Sequence, residues 1–420
     1  MSSFSFIHAA DLHLDSPFSA LGQENPDLAS HLRSSTYEAF EHIISLGIEK
    51  QVDFLLVAGD VYDGEERSLR AQVKFRDSLK RLDEAGIRSF IVHGNHDPLD
   101  VWSSSLDWPP GVCLFGDSLK TVSVKRDNEI LTYIQGISYP KRDEKRNLSR
   151  LFRRTGPEFH IGLLHANVGS DTGHEPYAPC SIEDLRRPEM DYWALGHVHT
   201  KKIVSPEGPC ILYPGNTQGR NIRETGEKGC YLVRIDADRG IETEFHATDV
   251  IRWETGEIQI NDMESDQDLI NALNTFCRDI SEKESDRASI VRLSLTGAGS
   301  LSKGLGDQKA LYDLIEIARD IGMSYSPFVW IDQIKLRIYP EMDFISLMKK
   351  QDFMGEILRY SDELLRNTDF GKLIKVELSP LFEDSRARRF LEYPDVEKLK
   401  ALFKEAEMTC LQALYGEENR

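Results

Sequence analysis

Three short apolar segments in the first hundred residues each stop at an aspartate or an asparagine. The segments cover residues 4–10, 52–58 and 90–92, and they lead into Asp11, Gly59-Asp60 and Gly94-Asn95, respectively. Their β-branched and aromatic residues are typical of buried strands, whereas residues 29–50 and 67–86 between them carry apolar side chains at helical spacing. Alternating strands and helices predict parallel strands whose carboxyl ends lie at one edge of the sheet. We therefore expect the three polar ends to lie close together.

The residues at these strand ends are of the types that bind metal ions. Asp11 and His13 lie two residues apart in an extended segment, so both side chains point to the same face. In Gly94-Asn95-His96-Asp97, the glycine permits a sharp turn that places three polar side chains at the end of the strand. A metal centre with a general acid would use such a group. An ordinary strand-end turn explains this segment equally well when it is taken alone.

Two later predicted strands end in histidines. Residues 159–164 lead into His165, and residues 192–195 lead into Gly196-His197-Val198-His199, where the two imidazoles again alternate onto one face. The candidate metal ligands are Asp11, His13, Asp60, Asn95, His165, His197 and His199. Oxygen and imidazole donors suit Mn²⁺, Fe²⁺ or Zn²⁺ better than Ca²⁺. Seven donors are too many for one ion but enough for two.

The net charge of −19 excludes a protein that coats nucleic acid with its whole surface. A phosphate-bearing substrate must then be attracted by bound metal or by a local basic patch. Residues 141–154 hold seven basic and two acidic residues, and they form either such a patch or a solvated helix start. The glycine-rich loop 214–226 carries Arg220 and Arg223, which are candidates for binding a substrate phosphate unless this is an ordinary surface loop.

Cysteine spacing and hydropathy predict a cytoplasmic protein without a membrane span. The six cysteines include no Cys-x-x-Cys pair, which argues against a zinc ribbon or a disulfide framework and suits a reducing compartment. No apolar segment approaches the roughly eighteen residues of a membrane span, and the first residues lack the basic-then-apolar pattern of a signal peptide.

The pattern changes twice in the second half of the chain. From residue 250 a new alternation of strands and helices predicts a small α/β capping domain over 250–340, which follows a first domain over 1–249. Residues 341–420 show helical periodicity and hold more acidic than basic residues, so we expect a helical tail that binds a partner rather than DNA. A helical cap packed on its own chain explains this region equally well.

The ordered motifs Asp-x-His, Gly-Asp, Gly-Asn-His-Asp, His and Gly-His-x-His resemble those of the calcineurin-like metallophosphoesterase superfamily. Residues 10–15 (Ala-Asp-Leu-His-Leu-Asp) and 60–64 (Asp-Val-Tyr-Asp-Gly), together with the cap and the tail, are similar to its DNA-repair nuclease branch. That branch contains the SbcD-type nuclease subunits and the YhaO-type DNA repair exonucleases. The resemblance implies an α/β fold: a two-sheet βαββ sandwich flanked by helices, with a small α/β capping domain and a C-terminal helical region.

The resemblance also implies how the ligands divide between two divalent metal ions, for which Mn²⁺ is the first expectation. One ion would be held by Asp11, His13, Asp60 and His199, and the other by Asp60, Asn95, His165 and His197. His96 is not needed as a ligand, and we predict that it protonates the leaving oxygen. Asp97 is predicted to hold the tautomer of His96 and to raise its pKa.

One residue departs from the pattern of the branch. In the double-strand-break nucleases, a further histidine follows three residues after the aspartate that corresponds to Asp60, the ligand assigned to both ions. This chain has Asp63 at that position. A carboxylate gives a DNA phosphate no cationic contact, and it would repel the phosphate unless it were protonated or bound to metal. The departure bears on exonuclease activity and on DNA positioning, but not on the phosphodiester chemistry itself.

Three functions fit these observations. The first is a dinuclear-metal phosphodiesterase that acts on DNA ends as a repair exonuclease, with an SMC-like ATPase docked on the C-terminal helices and a homodimer left open. The second is a phosphodiesterase or phosphatase for small nucleotides, which would need neither the cap nor the tail. The third is a scaffold in which metal only stabilises the fold while the tail recruits the ATPase, but such a protein would not need the pair His96-Asp97.

Overall fold

The apolar segments of the first half of the chain form the predicted parallel strands. The computed structural model describes residues 2–16, 26–64, 68–100, 106–169, 177–284, 286–339, 344–383 and 393–418. Among these residues, the first sheet has six strands in the order β12-β11-β1-β2-β3-β4. They are β1 (Phe4–Ala9), β2 (Phe54–Ala58), β3 (Arg88–Val92), β4 (Val112–Leu114), β11 (Gly229–Ile235) and β12 (Ile241–Ala247). Helices α1 (Pro26–Lys50) and α2 (Leu69–Glu84) connect the first three strands.

A second six-stranded sheet lies within the described part of the chain, in the order β5-β6-β7-β8-β10-β9. Its strands are β5 (Lys120–Arg126), β6 (Glu129–Ile137), β7 (Phe159–His165), β8 (Tyr192–Gly196), β9 (Lys202–Ser205) and β10 (Cys210–Tyr213), and helix α3 (Ile182–Arg186) precedes β8. β5 and β6 form an antiparallel pair, whereas β6, β7, β8 and β10 run parallel. The short apolar segments after residue 102 are typical of antiparallel strands, and this prediction is wrong for β4, which pairs in parallel with β3.

Aromatic side chains fill the space between the two sheets. Phe6 on β1 stacks on Phe54 of β2 with ring centroids 5.0 Å apart, and it meets the ring of Tyr192 on β8 edge-on at 5.3 Å. The next residue, Ile7, points to the other face and packs with the apolar side chains of α1 and α2. Because both faces of β1 are covered, its sequence is a continuous apolar run. The packing holds β1 against β8, and both strands lead into candidate metal ligands.

The rest of the chain forms a three-stranded sheet and further helices. The sheet has the order β13-β14-β15 in the described residues. The strands are β13 (Ile251–Gln259), β14 (Ala288–Ala298) and β15 (Val329–Tyr339), and the helices between them along the chain are α4 (Asp266–Lys283), α5 (Ser302–Leu305) and α6 (Gln308–Met323). The last helices are α7 (Phe344–Lys349), α8 (Phe353–Arg366), α9 (Phe370–Glu383) and α10 (Val396–Glu418). The predicted α/β sandwich of two sheets with flanking helices and a C-terminal helical region is thus confirmed.

The chain separates into two compact units. The first contains Met1–Thr255, Cys277–Arg292 and Gly322–Asp332, and the second contains Gly256–Phe276, Leu293–Ile321 and Gln333–Arg420. This division crosses the three strands of the small sheet, so the three domains over 1–249, 250–340 and 341–420 stay a prediction. In the described ranges, no helix is both long and apolar enough to cross a membrane.

Candidate metal centre

Five strands place polar side chains at a common edge of the two sheets. β1, β2 and β3 are followed by Asp11, Asp60 and Asn95, while β7 ends in His165 and β8 ends one residue before His197. Parallel strands have their carboxyl ends at one edge, which is the usual place for a functional site in such sheets. The structure brings all seven predicted ligands together at this edge.

Among the described residues, potential ligand atoms form three groups, with the atoms of each group within 4.8 Å of one another. Two groups share Asp11: one is Asp11, His13 and His199, and the other is Asp11, Asp60 and His165. The third is His13, Asp63 and His96. His13 Nε2 lies 3.2 Å from His199 Nε2. His165 Nε2 lies 3.4 Å from Asp60 Oδ2. Each group therefore contains the mixture of carboxylate and imidazole donors that transition metals bind.

Asn95 and His197 connect to the same cluster. Asn95 Oδ1 lies 3.0 Å from His165 Nε2 and 3.2 Å from His197 Nδ1. The backbone amide of His197 donates to both carboxylate oxygens of Asp11 at 3.1 Å. The seven residues thus form one continuous site.

Four of the seven candidate ligands have a strained backbone conformation. Asp11, His13, Asp60 and His197 have φ angles of 51°, 43°, 51° and 104°, in a left-handed region that costs a non-glycine residue about 1–3 kcal/mol. A hydrogen bond from Asp11 N to Gly59 O, 3.0 Å long, helps to hold the strained turn after β1. Such strain persists only where the surroundings enforce it, and here it turns each ligand toward the common centre.

Gly94 is required for space rather than for a special backbone conformation. A Cβ atom there would lie 2.3 Å from Asp60 Oδ1 and 2.8 Å from ring atoms of His165. The chain bends over residues 95–97, as predicted, but the φ angle of Gly94 itself is not positive. Gly59 meets both demands, because its φ is 92° and a Cβ would lie 2.4 Å from His165 Nδ1.

Hydrogen bonds behind the ligands orient their imidazole rings. His165 Nδ1 lies 2.8 Å from the carbonyl oxygen of Ala58, and His199 Nδ1 lies 2.8 Å from Glu224 Oε1. An imidazole that donates from Nδ1 keeps its lone pair on Nε2, the nitrogen that faces the centre in both residues. Sequence reasoning missed Glu224, because an acidic residue in a surface loop gives no periodic signal.

Electrostatics at the centre favour a bound cation. Burial lowers the pKa of His13 to about 3, so this imidazole is neutral and one of its ring nitrogens carries a lone pair that can bind metal. Burial raises the pKa of Asp11 to about 6, although His165 and His199 oppose the shift. Burial also acts against protonated His165, but the charges of Asp60 and Asp11 outweigh it and raise the His165 pKa to about 9. Buried carboxylates beside facing imidazole nitrogens need positive charge, so this donor set fits divalent metal ions.

His96 is oriented by Asp63 and not by Asp97. His96 Nδ1 lies 2.9 Å from Asp63 Oδ1, and the His96 backbone amide donates to Asp60 Oδ1 at 2.9 Å. Burial acts to lower the pKa of His96, but the hydrogen bond to Asp63 and the charge of Asp60 outweigh it and raise this pKa. The predicted direction is therefore right, whereas the predicted contact with Asp97 is wrong.

Asp97 stabilises the turn at the end of β3 instead. Its side chain is fully buried, and Oδ2 accepts a hydrogen bond from Val61 N at 2.9 Å and lies 3.1 Å from His93 Nδ1. Oδ1 accepts a hydrogen bond from Gly94 N at 2.7 Å. Because these partners occupy both oxygens, Asp97 and the neighbouring His96 belong to separate hydrogen-bond networks.

Asp63, the residue that departs from the nuclease pattern, is surrounded by hydrogen-bond donors. Besides His96, it accepts from Ser16 Oγ at 2.5 Å and from Arg220 Nη1 at 3.1 Å, and His13 Nδ1 lies 3.5 Å away. Burial acts to raise the pKa of Asp63, but the nearby His13, the hydrogen bond from His96 and the charge of Arg220 outweigh it and hold this pKa well below its usual range. Asp63 is therefore a charged carboxylate whose charge is balanced by its neighbours.

The two predicted phosphate-binding arginines differ in their surroundings. The side chain of Arg220 is only 15% exposed and pairs with Asp63 and Glu224. Arg223 is exposed on the same loop. Arg220 thus contacts two carboxylates that lie beside candidate metal ligands, whereas Arg223 lies at the surface.

The basic segment 141–154 is not the start of an α-helix, since its only helical part is a 3₁₀ helix over Leu148–Leu151. Its ion pairs are Lys145 with Asp143 (3.0 Å), Arg146 with Glu144 (2.5 Å), Arg150 with Asp184 (3.1 Å) and Arg154 with Asp191 (3.0 Å). These pairs reduce the positive charge that the segment can offer to a phosphate.

Comparison with known proteins places the chain in a family. A model of the calcineurin-like phosphoesterases matches residues 4–201, and a model of the middle domain of metallophosphoesterase YhaO matches residues 253–338. The chain is 34% identical over 334 residues to the uncharacterized metallophosphoesterase YhaO of Bacillus subtilis (strain 168), which covers 79% of this chain and 81% of that protein.

Two archaeal relatives are DNA double-strand break repair proteins Mre11. The protein of Sulfurisphaera tokodaii is 30% identical over 219 residues, covering 50% of this chain and 53% of its own. The protein of Thermoplasma acidophilum is 23% identical over 401 residues, which is 90% of this chain and 99% of that protein. The chain therefore belongs to the calcineurin-like metallophosphoesterases, in the branch that also contains YhaO and Mre11.

Proposed function

We propose that this metallophosphoesterase is a phosphodiesterase that cleaves DNA from its ends in DNA repair. The position of His96 carries the proposal: its ring lies against Asp63 and has its centroid 5.0 Å from that of His13, beside the ligand cluster. A metal that only stabilised the fold would need no proton donor beside it. The same observation therefore argues against the scaffold interpretation.

The side chains of the chain divide the chemical work. The residues proposed to hold two divalent cations, with Mn²⁺ as the first expectation, are Asp11, His13, Asp60, Asn95, His165, His197 and His199. Two bound cations supply an activated water and neutralise charge on the phosphoryl oxygens. His96 donates a proton from Nε2 to the oxygen that leaves phosphorus, while Asp63 holds Nδ1 and keeps the ring in place. Proton donation of this kind is worth ~10²–10⁴ in rate.

The Mre11 relatives support DNA as the substrate, since they are DNA double-strand break repair proteins. Asp63 does not present a free negative charge to a DNA phosphate, because His96 and Arg220 contact its two oxygens. Arg223 is exposed on the loop that carries Arg220, and it is the side chain that we propose for a phosphate contact.

We propose the C-terminal helices as the docking site of an SMC-like ATPase and the cytoplasm as the location, with a homodimer left open. α8 and α9 expose the large apolar side chains of Phe353, Tyr360 and Val376, which are 66%, 65% and 69% exposed. Apolar side chains exposed to this extent on adjacent helices are typical of a surface that a partner covers.

Hydrolysis of small nucleotides is the second candidate function. The ion pairs of Arg146, Arg150 and Arg154 favour it, because they leave fewer cations for a long phosphate backbone. The net charge of −19 also favours a small substrate, because it repels the many phosphates of a DNA chain.

An assay of the purified protein with Mn²⁺ separates these functions. The substrates are bis-p-nitrophenyl phosphate, a cyclic nucleotide, end-labelled linear DNA and covalently closed circular DNA. We expect cleavage of the first substrate and of linear DNA, an intact circle, and loss of both activities in His165→Ala. Cleavage of the cyclic nucleotide without degradation of linear DNA would reject the nuclease in favour of the small-substrate enzyme, and no cleavage at all would favour the scaffold.

A further inference from the structure

Arg220 lies between two carboxylates beside the metal centre. Its Nη1 lies 3.1 Å from Asp63 Oδ2, and its Nη2 lies 3.4 Å from Glu224 Oε1 and 3.3 Å from His199 Nδ1. The backbone amide of Arg220 also donates to Glu224 Oε2 at 2.8 Å. The guanidinium group is therefore already engaged on two sides by protein acceptors.

Both carboxylates lie beside imidazoles of the same ligand group, and Glu224 is within hydrogen-bond distance of its imidazole. Asp63 Oδ1 lies 3.5 Å from His13 Nδ1, and Glu224 Oε1 lies 2.8 Å from His199 Nδ1. The Nε2 atoms of these two histidines face each other at 3.2 Å. His165 has a different support, because its Nδ1 contacts the carbonyl oxygen of Ala58.

The loop that carries Arg220 is held in place independently of the guanidinium. Asn216 Nδ2 donates to Glu224 Oε2 at 2.9 Å, and Trp253 Nε1 donates to Gly219 O at 3.0 Å. Arg220 therefore extends from an anchored backbone, which lets one side chain fix the separation of two carboxylates from distant parts of the chain.

We infer that Arg220 is a positioning residue for one half of the metal centre: it clamps Asp63 and Glu224, which orient His13 and His199 toward the ion that these two histidines would share. The inference rests on the proposed function only in requiring that the centre binds divalent cations. Residues that orient metal-bound histidines typically contribute 10–100-fold to metal affinity. Without the clamp, two neighbouring negative charges would repel each other and turn away from the imidazoles.

The competing role for Arg220 is direct contact with a substrate phosphate, and Arg223 provides a matched control on the same loop. We would compare Arg220→Gln, Arg220→Lys and Arg223→Gln with the unaltered protein. Each protein is freed of metal and titrated with Mn²⁺. The number of ions retained after dialysis is measured by elemental analysis, and pairing of the ions is followed by electron paramagnetic resonance.

We expect Arg220→Gln to bind one of the two Mn²⁺ ions 10–100-fold more weakly and to lose the signal of the ion pair at limiting metal. Arg220→Lys keeps the charge but lacks the two-armed geometry, so its loss should be smaller. Arg223→Gln should bind both ions as the unaltered protein does. If Arg220→Gln failed to fold, as judged by circular dichroism, the lysine variant would decide the question.

Two unweakened Mn²⁺ sites in the folded Arg220 variants, together with a raised KM for bis-p-nitrophenyl phosphate, would overturn the inference in favour of substrate binding. Because the readout is ion retention, an unaltered protein that binds two ions but cleaves no phosphodiester would reject the proposed function without affecting this test.

Discussion

His96 and Asp97 are neighbours in the chain, yet their side chains enter different hydrogen-bond networks. His96 pairs with Asp63, while Asp97 is occupied by His93 and by the backbone amides of Val61 and Gly94. Adjacent side chains at the end of a strand point in different directions, so adjacency in sequence does not imply a contact. This difference separates the residue expected to act in chemistry from the residue expected to act in stability.

Replacing His96 with alanine should remove proton donation while leaving the ligands in place. We expect His96→Ala to fold and to retain Mn²⁺, but to hydrolyse DNA ~10²–10⁴-fold more slowly. The loss should be much smaller for bis-p-nitrophenyl phosphate, because its leaving group departs without a proton. Metal content and the rate on both substrates are measured side by side, and full activity of the variant on DNA would contradict the role of His96.

Replacing Asp97 should affect stability first. The two carboxylate oxygens of Asp97 face three donors: the amides of Val61 and Gly94 and the ring of His93. In Asp97→Asn an amide group replaces one oxygen, so at least one buried donor loses its acceptor, which costs about 1–3 kcal/mol. We expect urea unfolding to show this loss in the free energy of unfolding. Asp63→Asn should lose less stability than Asp97→Asn, because the Asp63 side chain is 19% exposed. It should lose more activity on DNA than Asp97→Asn does, because Asp63 orients His96. An Asp97 variant as stable as the unaltered protein would exclude this role.

The sequence predicts the candidate ligands, which the structure brings together, but it does not predict the residues behind them. Two apolar strands are each followed by a pair of candidate ligands spaced two residues apart, Asp11 with His13 and His197 with His199. This pattern is local, so it can be recognised without knowing which segments meet in the fold. Glu224 and Asp63 acquire their roles only when distant segments meet, since Glu224 pairs with a histidine 25 residues away and Asp63 with one 33 residues away. A single sequence contains no signal for such contacts.

At the level of strands and helices, apolar patterns in the sequence are sufficient to predict an element where its residues are almost completely buried. β1, β2 and β3 are covered on both faces and appear as short apolar runs. β9, with two exposed residues among four, lacks such a pattern and was not predicted. The direction of β4 depends on which strand it pairs with, and a three-residue strand does not specify its partner.

The ends of β2, β3 and β7 approach so closely that a methyl group at Gly94 should disrupt the site. Its Cβ would lie 2.3 Å from Asp60 Oδ1, so Gly94→Ala must displace Asp60 or His165. We expect the variant to bind Mn²⁺ at least 10-fold more weakly, on the order of the loss seen when ligand orientation is disturbed. Gly116→Ala is the control, because nothing lies within 4 Å of a Cβ at that exposed position. Equal metal affinity in both variants would contradict the packing argument.

At the scale of the whole molecule, stability, metal binding and pH should be linked through His165. Its pKa is raised from 6.5 to about 9, since the charges of Asp60 and Asp11 outweigh burial. A raised pKa means that the proton stabilises the metal-free fold fully below about pH 6.5 and that this contribution is lost as the pH rises through about 9. A cation bound at His165 Nε2 must displace that proton, so binding becomes easier with rising pH.

We therefore expect Mn²⁺ to raise Tm more at about pH 8 than at about pH 6.5, at equal free metal concentration. Free metal at 100 times its Kd adds about 2.7 kcal/mol per site, which is enough to resolve by calorimetry. In His165→Ala the increase in Tm should be smaller and should depend less on pH, because alanine binds neither the metal ion nor the proton that the ion would displace. An increase in Tm that is the same at both pH values in the unaltered protein would show that His165 does not exchange a proton for metal.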